Sequence, residues 1–112
     1  MNGTHIIIDI FDIIDNSIIK YSHLIIPILN KIVEKYNLNV VGKAVHQFKP
    51  FGVTAVYILS ESHLSIHTFV DERRVAIDLY TCNRFSKIND IEEFFKSLFQ
   101  NNCKMVYKII DR

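Results

Sequence analysis

At 112 residues, 49% apolar and 22% charged, the chain reads as one folded domain, 1–112, and not as a disordered segment or a pair of domains. A net charge of +1 with no run of like charges argues against a nucleic-acid partner. No apolar run reaches the roughly 18 residues of a membrane span, no basic segment of a secretory signal opens the chain, and two cysteines, Cys82 and Cys103, are too few for a disulfide scaffold; a cytoplasmic protein with reduced thiols and no membrane partner is expected.

Thr4 to Phe11 is rich in β-branched residues and predicts a strand, followed by a polar turn at 12–16. From Ser17 to Tyr36, Ile18, Tyr21, Ile25, Ile28, Ile32 and Tyr36 recur at steps of three and four and predict one helical face. Pro27 interrupts that pattern, so the helix either kinks there or begins late, near Ser22. Strands are predicted over 39–47, 53–59, 64–69 and 75–80, with turns at Lys49–Gly52 and at Asp71–Arg74. Ile91, Phe94, Phe95 and Leu98 share a face of a helix over 89–99, capped by Asn89 or Asp90, and 105–110 closes the chain as a strand.

The order β-α-β-β-β-β-α-β predicts an α+β fold, a two-layer α/β sandwich with a mostly antiparallel sheet. Two helices cover one face of such a sheet. The first strand is apolar on both alternations, Ile6, Ile8 and Ile10 on one side and Ile7 and Phe11 on the other. The uncovered face therefore predicts a homodimer.

The chemistry is densest in Ser60-Glu61-Ser62-His63-Leu64-Ser65-Ile66-His67-Thr68. A turn followed by a half-exposed strand accounts for such composition. His63 and His67, four apart, share one face of a strand, but spacing marks out no third metal ligand and no metal site is assigned. A Ser–His hydrolase would need the Gly-x-Ser-x-Gly elbow, which the sequence lacks. Cys82 alone reads more readily as a small core residue than as a nucleophile.

This run, followed by Ala76-Ile77-Asp78-Leu79-Tyr80-Thr81-Cys82, closely resembles the prokaryotic-type S-adenosylmethionine decarboxylase proenzymes. There Glu-Ser-His-x-Ser/Thr-Ile-His-Thr precedes Ala-x-Asp-x-Phe/Tyr-Thr-Cys at the same spacing. Gly3-Thr4-His5-Ile6 is similar to the opening strand of that family, and His46-Gln47-Phe48-Lys49-Pro50-Phe51-Gly52-Val53-Thr54 to its His-x-Phe-x-Pro-x-Gly-Val-Ser segment.

The resemblance implies a carboxy-lyase that makes its own pyruvoyl cofactor. Ser62 would attack the Glu61 carbonyl, His67 would act as base on the α-proton of residue 62, and the chain would part into 1–61 and 62–112 with the pyruvoyl group on residue 62. Glu61 and Thr54, the latter where the family has serine, would support cleavage. The small-molecule substrate amine would form a Schiff base with the pyruvoyl and lose CO₂. Cys82 would protonate the product; an ordinary thiol, with a pKa of about 8.5, is largely protonated near pH 7. Phe48, Phe69, Asp71, Glu72 and His5 would bind substrate, while His63 would orient its neighbours. The product is an aminopropyl donor for polyamine synthesis, spermidine included.

After Thr68 the family reads Trp-Pro-Glu-Tyr-Gly-Tyr, and this chain reads Phe69-Val70-Asp71-Glu72-Arg73-Arg74. Asp71 stands where a glutamate holds the ribose and is shorter by about 1.5 Å; Glu72 can take over if the turn shifts. Arg73 replaces a glycine able to adopt positive φ, and with Arg74 is expected in a solvated turn paired to Asp71 and Glu72. Because the ribose clamp is altered, a pyruvoyl-dependent arginine or ornithine decarboxylase stands as an alternative beside S-adenosylmethionine, and a non-catalytic regulatory paralogue stands as a separate one.

Overall fold

The computed structural model describes residues 3–60, 62–82 and 89–112, Asn89 by its backbone alone. In chain order it contains β1 (Thr4–Phe11), a 3₁₀ turn (Asn16–Ile19), α1 (Ser22–Lys35), β2 (Val40–Gln47), β3 (Val53–Leu59), β4 (Ser62–Phe69), β5 (Arg74–Thr81), α2 (Asn89–Ser97) and β6 (Lys104–Asp111). The strands form one sheet in the order β2-β3-β4-β5-β1-β6, and every neighbouring pair is antiparallel. This is the α+β architecture expected, with the sheet wholly rather than mostly antiparallel.

Alternation along the strands sets the two faces. Ile6, Ile8 and Ile10 of β1, Val53, Ala55 and Tyr57 of β3, Leu64 and Ile66 of β4, and Val75, Ile77 and Leu79 of β5 are buried in one cluster with Ile25, Leu29 and Ile32 of α1 and Phe95 and Phe99 at α2. Each fully buried isoleucine here contributes roughly 1.5–3 kcal/mol. The Tyr57 hydroxyl, on the same side, donates to Asn30 Oδ1 at 3.0 Å. Among the described residues no helix covers the other alternation: Ile7, Ile58 and Val106 are 41%, 54% and 56% exposed.

The helix takes the late start, at Ser22, and runs through Pro27, which lies on its exposed side. Tyr21 precedes the helix as its N-cap and is exposed, so the predicted apolar stripe begins one turn later, at Ile25. Ile19 of the 3₁₀ turn is buried in its place. Tyr21 caps with no side-chain bond; instead the amide of Ser22 donates to Gln47 Oε1 at 2.6 Å. Gln47 Nε2 donates in turn to the carbonyls of Lys20 at 3.1 Å, Phe48 at 3.0 Å and Gly52 at 2.9 Å. One side chain thereby satisfies orphan groups at a helix start and fixes the β2–β3 turn that carries Phe48. Gly52 sits at φ 114°, a conformation open to glycine alone among common residues. The predicted cap of α2 by Asn89 falls on a side chain outside the described residues.

Candidate active site

β4 begins at Ser62, two residues before the predicted start, and Ser62 pairs with Leu59 of β3. Ser60 and Glu61 connect the two strands; Glu61 lies outside the described residues. The Ser60 end of this connection is tied to the start of β2: its amide donates to the Asn39 carbonyl at 3.1 Å, and Asn39 Nδ2 donates to Ser60 Oγ at 2.6 Å. Cys82 follows the last residue of β5, which is adjacent to β4. Ser62 and Cys82 consequently line the same hollow of about 320 Å³, with Asn37, Asn39, Leu59 and Thr81. Both are half-buried. The hollow thus brings a hydroxyl and a thiol to one concavity at the head of β4.

Thr54 and His67 face each other across β3 and β4. Thr54 Oγ1 and His67 Nδ1 are 3.1 Å apart, a hydrogen bond in which the hydroxyl can take either role. His67 is exposed on the open face, whereas Ser62 alternates with the core residues Leu64 and Ile66. Five residues along a strand span about 17 Å. The serine and histidine that the motif places in one reaction are thus separated within one chain, in distance and by face.

A second cleft, about 330 Å³, lies at the far end of these strands, between the β2–β3 and β4–β5 turns. Phe48, Phe51, Phe69, Asp71 and Glu72 line it with Thr68. The expected substrate residues therefore do come together, apart from His5, which lines neither this cleft nor the hollow of Ser62. The ring of Phe48 meets His46 edge-on at 4.5 Å. One face of Phe69 carries the guanidinium of Arg74 at 4.1 Å. Phe69 lies seven positions after Ser62 on β4, about 23 Å of strand.

The arginines of the β4–β5 turn depart from the expected pairing. Arg74 binds Asp9 at 3.0 Å, with Glu72 more distant at 3.9 Å. Arg73 adopts φ 53°, the left-handed conformation that the family's glycine would take without a Cβ penalty. Its Nη1 donates to the carbonyls of Ile13, at 3.3 Å, and Ile14, and its own carbonyl accepts from the Ile13 amide at 3.1 Å. The Arg73 side chain and carbonyl fasten this turn to the segment after β1.

Sequence reasoning missed one cluster. On the open face, Asp78 of β5 contacts His5 of β1 and His63 of β4, His5 Nε2 meeting Oδ1 and His63 Nε2 lying 3.4 Å from Oδ2. His63 was considered with His67; the structure gathers it with His5 and Asp78 instead. Period-two alternation puts both histidines of β4 on the open face, but only strand order supplies their neighbours. Cys103 is half-buried against the core, and burial pushes its thiol pKa up.

The sequence profile described as S-adenosylmethionine decarboxylase matches residues 4–112. The chain belongs to this family. S-adenosylmethionine decarboxylase proenzymes that it resembles include one from Archaeoglobus fulgidus, 33% identical over 110 residues covering 98% of this chain and 96% of the relative. Another, from Clostridium botulinum strain Loch Maree, is 31% identical over 99 residues covering 85% and 81%. The crystal structure of the adenosylmethionine decarboxylase from Aquifex aeolicus superposes with a TM-score of 0.84 at 28% identity, covering 98% of this chain and 89% of that one. An S-adenosylmethionine decarboxylase sheet with helices is thus the architecture on which the Ser62 hollow and the Phe48–Phe69 cleft are set.

Proposed function

We propose that the chain is a self-processing S-adenosylmethionine decarboxylase that works as a homodimer, each site formed by the Ser62–Cys82 hollow of one copy and the Phe48–Phe69 cleft of the other. The observation that carries this reading is the division of the motif residues between opposite ends of β3, β4 and β5, in a sheet whose open face carries the exposed Ile7, Ile58 and Val106. A two-fold axis running across the strands between two such faces brings one end of each sheet to the other end of its partner. Burying Ile7, Ile58 and Val106 in the same contact stabilises the pair. The family assignment does not favour a basic amino acid as substrate, nor a non-catalytic role.

In this reading Ser62 is both the internal nucleophile and the residue that becomes the pyruvoyl group. That group, once formed, supplies an electron sink for departure of the substrate carboxylate. Cys82 stands in the same hollow to deliver a proton to the substrate α-carbon. His67, held by Thr54, is the base for the α-proton of residue 62 in the other copy. Phe48 offers an aromatic face to adenine, and Asp71 and Glu72 offer acceptors to the ribose hydroxyls.

Mixed dimers test the shared site. A Ser62→Ala chain and a His67→Ala chain, each uncleaved alone, are co-expressed with different tags. The His67→Ala chain will be cut in the hybrid, because it brings Ser62 and its partner brings His67. Both chains remaining intact in purified hybrid dimers would place the two residues in one subunit and end the shared-site reading. In cleaved enzyme, CO₂ release from S-adenosylmethionine will exceed that from arginine or ornithine. Phe48→Ala will weaken the adenosyl substrate by roughly 1–3 kcal/mol, the range of base–aromatic stacking, read as a raised KM.

A further inference from the structure

The cluster on the open face joins four segments through one carboxylate. His63 and His5 each lie opposite Tyr80 in the register, on either side of β5. Their rings flank Tyr80 at 6.0 and 5.7 Å, and both turn Nε2 to Asp78, two residues along the same strand. On the outer side of His5, Arg112 Nη1 lies 3.4 Å from Nδ1. The C-terminus is held there by a reciprocal backbone pair: the Gly3 amide donates to Arg112 at 2.7 Å and the Arg112 amide to Gly3 at 2.8 Å. A Cβ on Gly3 would fall 2.8 Å from Tyr80 Cε1, so the close approach depends on glycine.

Taken as hydrogen bonds to an ionised Asp78, these contacts assign one set of proton positions. A guanidinium donates and never accepts, so His5 Nδ1 is the acceptor and Nε2 carries the hydrogen that Asp78 accepts. An ionised carboxylate likewise only accepts, so His63 also presents Nε2–H. The ligand atoms of His5, His63 and Asp78 lie within 4.8 Å of one another, close enough to surround a metal ion. A metal would need the Nε2 lone pair of His5, and the Arg112 contact puts a proton there and a positive charge beside the ring. The hydrogen-bonded relay is the arrangement that these contacts favour.

We propose that Asp78, supported by His5 and Arg112, is a positioning residue for position 62, acting through His63. The inference rests on the self-processing reading above. His63 is the residue immediately after Ser62, and its ring is the first side-chain anchor of β4 beyond the cleavage point. Once the Glu61–Ser62 bond is cut, residue 62 becomes a chain end, and chain ends fray unless tied down. A reactive group must be held to about 0.5 Å to be productive. The relay ties His63 to β5 from the open face and leaves the hollow shared by residue 62 and Cys82 clear.

Asp78→Asn separates this from a general packing role, since shape is retained. The amide oxygen can accept from one histidine, but its NH₂ must donate to the other, which then becomes the Nδ1–H tautomer. Loss of one hydrogen bond to a charged group typically matters by roughly 10–100-fold. Self-cleavage by Asp78→Asn is expected to slow by about that factor, and the kcat of the cleaved fraction to fall similarly with KM little changed. Long-range proton–nitrogen NMR on Ser62→Ala protein, which stays whole, will show Nε2–H on both His5 and His63, and one of them will switch when Asp78→Asn is added. Wild-type cleavage and turnover in Asp78→Asn would overturn the proposal. So would a one-to-one Zn²⁺ complex of the wild type that Asp78→Asn abolishes, since that would mark a metal site. If wild-type protein never cleaves, the processing reading falls and the positioning role with it. Nδ1–H histidines in Ser62→Ala would overturn the relay by themselves.

Discussion

Ser62→Ala will leave a single chain of 112 residues, where wild-type protein yields fragments 1–61 and 62–112 of similar size, the larger N-terminal. The reason is a balance of bonds. The Ser62 hydroxyl oxygen bonds to the Glu61 carbonyl carbon as the peptide C–N bond breaks, so an amide becomes an ester. Removal of the α-proton of residue 62 expels the Glu61 carboxylate, and hydrolysis of the resulting dehydroalanine releases ammonia. Alanine has no oxygen with which to begin. Ser62 already stands in register against Leu59 at the head of β4, and its side chain is only half-buried, so removing one oxygen is not expected to unfold the sheet. Intact mass spectrometry reads the result. Wild-type protein that stays full-length through long incubation while folded would refute the proenzyme reading. His67→Ala is expected to stop one step later, at an ester that hydroxylamine cleaves, because the acyl shift precedes proton abstraction.

The second large effect belongs to Cys82→Ala. This variant is expected to cleave at least in part and to lose 100- to 10,000-fold in decarboxylation, the usual contribution of a positioned acid or base. Cys82 lines the same hollow as residue 62 and is outside the groups assigned to cleavage. Cys103 provides the internal comparison. Its thiol is packed against the core with its pKa pushed up by burial, and a buried thiol with little thiolate reacts slowly. Cys103→Ser should therefore leave turnover near the wild-type rate. Wild-type turnover in cleaved Cys82→Ala protein would assign the proton to another group.

Much of the fold was legible because local chemistry and tertiary packing agree. Thr4–Phe11 and Val53–Leu59 have the predicted bounds, since β-branched alternation ends at polar or Gly/Pro turns at both places. The helix boundary at Ser22 was legible only as one of two options. Its choice depends on Gln47, 25 residues away, whose side chain satisfies the Ser22 amide. Arg73 illustrates the converse: its positive φ is contrary to residue preference and is held by carbonyls of Ile13 and Ile14, which no local pattern exposes.

By itself the sequence determined the element order, the core alternation and the family, because each rests on short-range periodicity or on motif residues at set spacings. The separation of Ser62 from His67 was not legible, because Ser62 lies before the predicted strand 64–69; only with β4 starting at Ser62 does the odd interval turn the two side chains to opposite faces. The tertiary structure decided what those residues meet. Strand order β4-β5-β1 sets His63 beside Asp78 and His5, 73 positions from Asp78 in the chain. The same sheet holds the Ser62–Cys82 hollow and the Phe48–Phe69 cleft at opposite ends. Such juxtapositions arise from long-range backbone pairing, whose partners are selected by the burial of a whole face and not by any local run of residues.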